Sequence, residues 1–90
     1  MSECMQPIDL LKYCTELMRK WPQVRFLGEE VNNRTGECCY TYAVDRYAAP
    51  SYVITYAACS ALRNSLVKDG FQVTQTHIQS DRFRIWFVRP

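Results

Sequence analysis

The sequence predicts an α+β fold with the element order αββαββ, and three observations point to it. Apolar residues recur at three- and four-residue steps in two stretches, one starting at Pro7 and one at Pro50. In four other stretches they alternate every second residue. Those four fall into two pairs, each joined by a few turn-forming residues, so each pair reads as a hairpin.

The first helix is expected over Pro7 to Trp21, where Ile8, Leu11, Cys14, Leu17 or Met18, and Trp21 form one apolar stripe. Pro7 suits a first helical position and Pro22 cannot continue the helix. Val24 to Val31 then reads as a strand. Asn32-Asn33-Arg34-Thr35-Gly36 supplies residues that tolerate positive φ, and Glu37 to Val44 returns as the partner strand. On that second strand Cys38, Tyr40, Tyr42 and Val44 are expected toward the core, with Glu37, Cys39, Thr41 and Ala43 on the other face. After a linker over Arg46 to Ala49, Pro50 opens a second helix that Gly70 should stop. Tyr52, Tyr56, Cys59, Leu62 and Leu66 are its expected buried stripe. Propensity alone would allow a strand at Tyr52 to Tyr56, but Ala57, Ala58, Ala61 and Leu62 beyond it favour helix.

The last pair of strands, Phe71 to Ile78 and Arg82 to Val88, meets at Gln79-Ser80-Asp81. Phe71, Val73, Phe83, Ile85 and Phe87 should be buried, leaving Gln72, Thr74, Thr76, Arg82, Arg84 and Trp86 on the opposite side. Each element has one apolar face to cover. The economical solution is a two-layer sandwich, with two helices on one face of a four-stranded, antiparallel-rich sheet. This order equals a ferredoxin-like βαββαβ chain whose first strand has moved to the end, a permuted ferredoxin-like arrangement that puts the final strand beside Glu37 to Val44. A different meeting of the two hairpins, or a dimer that completes the sheet, would use the same elements.

Ninety residues is the size of one small domain, so residues 1–90 are expected to form a single α+β domain. The composition, 48% apolar and 22% charged with three Gly and four Pro, is that of a globular fold. A net charge of +2 says little about partners, since nucleic-acid binding needs a basic patch rather than a small positive total. Eight of the eleven basic residues are arginine, the type favoured for multi-donor contacts at interfaces. Met1 to Pro7 has no signal or transit character and no apolar run is long enough to span a membrane, which leads to the expectation of an intracellular, soluble protein. Asn33-Arg34-Thr35 matches a glycosylation triplet but has no secretion signal to support it.

Cys4, Cys14, Cys38, Cys39 and Cys59 are odd in number and lack paired Cys-x-x-Cys spacing, which fits reduced thiols acting as small hydrophobes. Neighbours Cys38 and Cys39 on a strand point apart and make poor zinc co-ligands. No phosphate loop, nucleophile elbow or metalloprotease motif occurs, and His77 is the sole histidine. It reads as a rim residue, because catalysis would also need a nucleophile and an orienting partner. Glu29 and Glu30 should likewise point apart and form no acid/base pair. Cys14 and Cys59 belong to packing stripes rather than to reactive sites. Catalytic residues, metal sites and cofactors are therefore all expected to be none.

The six tyrosines exceed what so small a core readily holds, and Tyr47 and Tyr13 are the expected exposed ones. The surface that draws attention is the open sheet face, with Arg25, Thr41, Gln72, Thr74, Thr76, Arg82, Arg84 and Trp86. Two uses compete for it. A protein interface would employ Trp and Arg, the leading hot-spot types. A single-stranded nucleic-acid platform would stack a base on Trp86 and meet phosphates with the arginines, although the paired aromatics and motif of an RNA-recognition sheet are absent.

One resemblance adds a setting. A helix ending Leu66-Val67-Lys68-Asp69-Gly70, followed by Phe71-Gln72-Val73, a short polar turn and Arg84-Ile85-Trp86, resembles a helix and hairpin of small uncharacterised proteins of large DNA viruses, some of them virion components. It covers about the last third of the chain, and Phe87-Val88 continues the strand where that pattern stops. The resemblance implies a viral particle as one place for the protein and assigns no functional residue.

Together these readings lead to a non-enzymatic, small structural or adaptor subunit of a larger protein assembly, reaching a protein partner or itself through Trp86, Arg82, Arg84 and Arg25, with Tyr47 at an edge. The alternative is a single-stranded nucleic-acid-binding module on the same face. An inhibitor of another protein would show the same surface.

Overall fold

The computed structural model describes residues 7–45, 47 and 50–89. Helix α1 spans Pro7–Leu17 and runs on as a short 3-10 turn over Met18–Lys20, so the regular helix ends a turn before Trp21. Strands β1 (Val24–Asn32) and β2 (Glu37–Val44), helix α2 (Ser51–Lys68), and strands β3 (Gln72–Ile78) and β4 (Arg82–Val88) complete the αββαββ order. Of the expected linker only Tyr47 is described, and Cys4 also lies outside the described residues.

The four strands form one antiparallel sheet in the order β1-β2-β4-β3, which places β4 beside β2 as expected. Buried residues of both helices, Leu10 and Cys14 from α1, with Met18 of its 3-10 turn, and Ala58, Cys59, Leu62 and Leu66 from α2, join one cluster with Cys38, Tyr40, Tyr42, Phe83, Ile85 and Phe87. Both helices therefore cover the same sheet face. The rings interlock: Tyr42 stacks on Phe83 at 5.1 Å, and Phe87 meets Tyr40 edge-on at 5.3 Å and Phe71 at 5.7 Å.

The stripe of α2 differs from the expected one. Thr55, Ala58, Cys59, Leu62 and Leu66 face the sheet, whereas Tyr52 and Tyr56 remain 57% and 55% exposed. The sheet face already carries Tyr40, Tyr42, Phe83 and Phe87, so close approach of the helix requires small residues in its first turns. Thr55 also ties that end down, its hydroxyl donating to Ser51 O at 2.7 Å and reaching Ser80 O at 3.2 Å in the β3–β4 turn. Tyr13, expected to be exposed, is half-buried: it stacks on Phe71 at 6.0 Å and donates its hydroxyl proton to Asp69 of the α2 end.

Two β-bulges set which side chains reach which face. Pairing skips Leu27 in β1 and Thr74 in β3. Beyond Thr74 the alternation of β3 inverts, so Thr76 pairs with core-facing Ile85 while Gln75 and His77 pair with Trp86 and Arg84. Thr76 is thus not on the open face, and His77 is.

The β1–β2 turn rests on Gly36, whose φ of +76° closes a hydrogen bond of 2.7 Å from its N–H to Asn32 O. Nothing lies within 4 Å of a Cβ added there, so Gly36→Ala carries the cost of left-handed backbone alone. It is expected to lower unfolding stability by ~1–2 kcal/mol, read as a reduced urea midpoint with an unchanged slope. Gly28→Ala, at ordinary φ and also with nothing within 4 Å, serves as the neutral control.

Candidate functional site

The sheet face away from the helices carries no covering element among the described residues. The pairing places its side chains in four rows across the strands. The first row is Arg25, Ala43 and Arg82; the second is Gly28, Thr41, Arg84 and His77. The third is Glu30, Cys39, Trp86 and Gln75; the fourth is Asn32, Glu37, Val88 and Gln72. Thr74 projects from its bulge onto the same side, where its hydroxyl donates to Glu37 Oε2 at 2.6 Å.

Charge is segregated along the strands. Arginines occupy the first two rows, and Glu30 and Glu37 the last two. The one ion pair among the described residues is Arg19–Glu16 on the helical side, so none of the open-face arginines has a carboxylate partner there. Between the two ends lie Trp86, half-buried, and Cys39, only 5% exposed. The Cys39 thiol is pushed up mainly by burial and further by Glu30, with Arg84 opposing, so it stays protonated.

Each end is concave. At the basic end a depression of about 530 Å³ has Ala43 between Arg25 and Arg82, with Asp45, Tyr47 and Asp81 along its lip. The Asp45 carboxylate is occupied locally, accepting the Tyr47 N–H at 2.9 Å. At the acidic end a depression of about 460 Å³ is lined by Glu30, Asn32, Glu37, Cys39 and Trp86.

The structure thus brings Arg25, Arg82 and Tyr47 around one depression, with Tyr47 90% exposed, and sets Arg84 and Trp86 on neighbouring rows of the same face. Glu37 lies on this face as the alternation of its strand predicts, whereas Glu30, and His77 and Gln75 behind the bulge, join it only through the observed register. Glu29 points the other way and accepts the Tyr40 hydroxyl proton at 2.7 Å. Cys38 and Cys39 take opposite faces, and Cys14 and Cys59 are buried in the core. Among the described residues no helix is long and apolar enough to cross a membrane. Comparison with protein-family models, curated proteins and solved structures gives no match.

Proposed function

We propose that the chain is a non-enzymatic structural or adaptor subunit of a larger protein assembly, with the uncovered sheet face as its contact surface. The observation that carries this reading is a four-stranded face with a half-buried tryptophan at its middle and three arginines that have no carboxylate partner among the described residues. Trp and Arg are among the leading hot-spot residue types, and a preformed strand surface loses little entropy on binding. The absence of catalysis in this reading rests on chemistry: Cys39 is kept protonated, and His77 faces Arg84 rather than a nucleophile or a carboxylate. A viral particle is the setting that the resemblance of the last hairpin suggests. The strand order supports a relation to the ferredoxin-like sheet with its first strand moved to the end.

The rival reading, a platform for single-stranded nucleic acid, draws on the same arginines and Trp86. Against it stand Glu30 and Glu37, which share the face with Trp86 and repel a phosphate backbone crossing it.

Light scattering coupled to size exclusion, at low and moderate salt and with or without a mixed-sequence single-stranded oligonucleotide, tests the choice. The expected species is an oligomer that ignores the oligonucleotide. Trp86→Ala combined with Arg84→Ala is expected to weaken association at least ~30-fold, about 2 kcal/mol, while a cooperative thermal transition is retained. A monomer that shifts only with oligonucleotide, at low salt, would reverse the order of the two readings.

A further inference from the structure

Resting on that assembly reading, we infer that the contact partner is a second copy of this chain, stacked open face on open face so that the arginine end of each copy covers the glutamate end of the other. A two-fold interface places one patch against itself, so the patch must be self-complementary. Two simple axes lie in the plane of the sheet. Rotation about an axis along the strands keeps each row over its own kind and gathers Arg25, Arg82 and Arg84 of both copies at one end. Rotation about an axis across the strands exchanges the first row with the fourth and the second with the third. Unlike charges then meet, and charge alone selects this second arrangement.

The register makes the fit specific. Across that axis each strand lies over its own copy. Glu37 in the fourth row of β2 therefore sits over Ala43 in the first row of β2 in the other copy. Ala43 is the small floor between Arg25 and Arg82, so the Glu37 carboxylate enters a notch with a guanidinium on each side. The same operation brings Arg84 over the Trp86 ring of the second copy, both on β4 and in exchanged rows, where a cation–π contact forms. Thr41 meets Cys39, two small side chains that let the sheets close to the usual ~10 Å separation.

The size of the face sets the strength. Four strands at ~4.8 Å spacing and seven residues at ~3.3 Å rise give a footprint of roughly 450 Å² per copy. That lies below the range of stable interfaces and within that of weak, transient ones, so the pairing should be micromolar and weakened by salt.

Reciprocal charge reversal tests it, by analytical ultracentrifugation of the full chain over a concentration series. Arg82→Glu alone and Glu37→Arg alone each place like charges at both symmetric contacts and are expected to raise the dissociation constant at least ~30-fold. An equimolar mixture of the two variants restores an attractive pair at both contacts of the heterodimer and is expected to return to within about threefold of the unsubstituted chain. Should Glu37→Arg disturb the β1–β2 hairpin, Arg25→Glu reports on the other wall of the same notch. A dimer that survives the single reversals, or a mixture that stays monomeric, overturns this stacking while leaving assembly through another surface intact. A chain that is monomeric throughout and binds the oligonucleotide overturns both readings.

Discussion

Unfolding stability is expected to fall steeply as pH rises from about 9 to 12, by an amount comparable to the whole stability of the fold. Cys14 and Cys59 lie under the sheet with no exposure to speak of, and burial pushes their thiols up from 9.0 to about 12 and about 11. Cys38 as a neighbour adds to the shift of Cys14, while Arg63 partly offsets that of Cys59. Above pH 9 the unfolded chain releases these protons and the folded chain keeps them, so each rise in pH favours unfolding. Stability held in full below pH 9 is lost at ~1.4 kcal/mol per pH unit for each thiol, ending near pH 11 for Cys59 and near pH 12 for Cys14. The losses approach ~3 kcal/mol for Cys59 and ~4 kcal/mol for Cys14, against a total of roughly 5–13 kcal/mol for a chain of this length. Tyr40 and Tyr42 act in the same direction, both raised by burial first, with Glu29 next for Tyr40 and Cys14 next for Tyr42. Urea midpoints taken at half-unit steps from pH 7.5 upward should be flat to about pH 9 and then decline. Cys14→Ala shifts the whole curve by its packing cost yet should decline more gently, and it is this change of slope that identifies the thiol. A midpoint that holds steady to pH 11 would mean that the two thiols are not sealed from water.

The same burial explains which parts of the fold were legible in the sequence. β2 and β4 have the bounds that alternation predicts, because Tyr40, Tyr42, Phe83, Ile85 and Phe87 are large, β-favouring and spaced by two. The bulges were missed, but their signal was present. Val73 and Ile78 both face the core from β3, five residues apart, and Phe26 and Val31 do so from β1, also five apart. An odd separation between two same-face residues requires one extra residue between them. Reading it would have moved His77 and Gln75 onto the open face and Thr76 off it. The stripe of α2 holds at Cys59, Leu62 and Leu66 and differs only at Tyr52 and Tyr56, for another reason. Periodicity allowed a face centred on Tyr52 and Tyr56 or one centred on Thr55 and Ala58, and only the volume of the aromatic layer beneath decides for the smaller residues. Segregation of charge on the open face was hidden in the same way: Glu30, Glu37, Arg25 and Arg82 are scattered in sequence, and only strand register gathers them at opposite ends.

Phe87→Ala is expected to be the most damaging single truncation in the core, costing ~3–5 kcal/mol. Phe87 has no exposed surface, lies on the inner strand β4, and is the one ring that touches both Tyr40 at 5.3 Å and Phe71 at 5.7 Å. Tyr40 belongs to the strand bonded to β1, and Phe71 sits where α2 hands over to β3 and stacks on Tyr13 of α1. Its side chain thus joins both hairpins and, through Phe71 and Tyr13, the two helices. Loss of transfer energy and of two aromatic contacts, each ~0.5–1.5 kcal/mol beyond area, adds to the cavity term. Phe87→Leu keeps most of the volume and should cost ~1–1.5 kcal/mol, so the difference between the two variants isolates the void from the ring. Urea unfolding at pH 7.5, well below the range where the thiols titrate, separates this packing effect from the alkaline one. If Phe87→Ala cost less than Phe87→Leu is expected to, the two hairpins would be held together by the helices rather than by this ring, and the weight of the core would shift to Phe83, which stacks on Tyr42 at 5.1 Å.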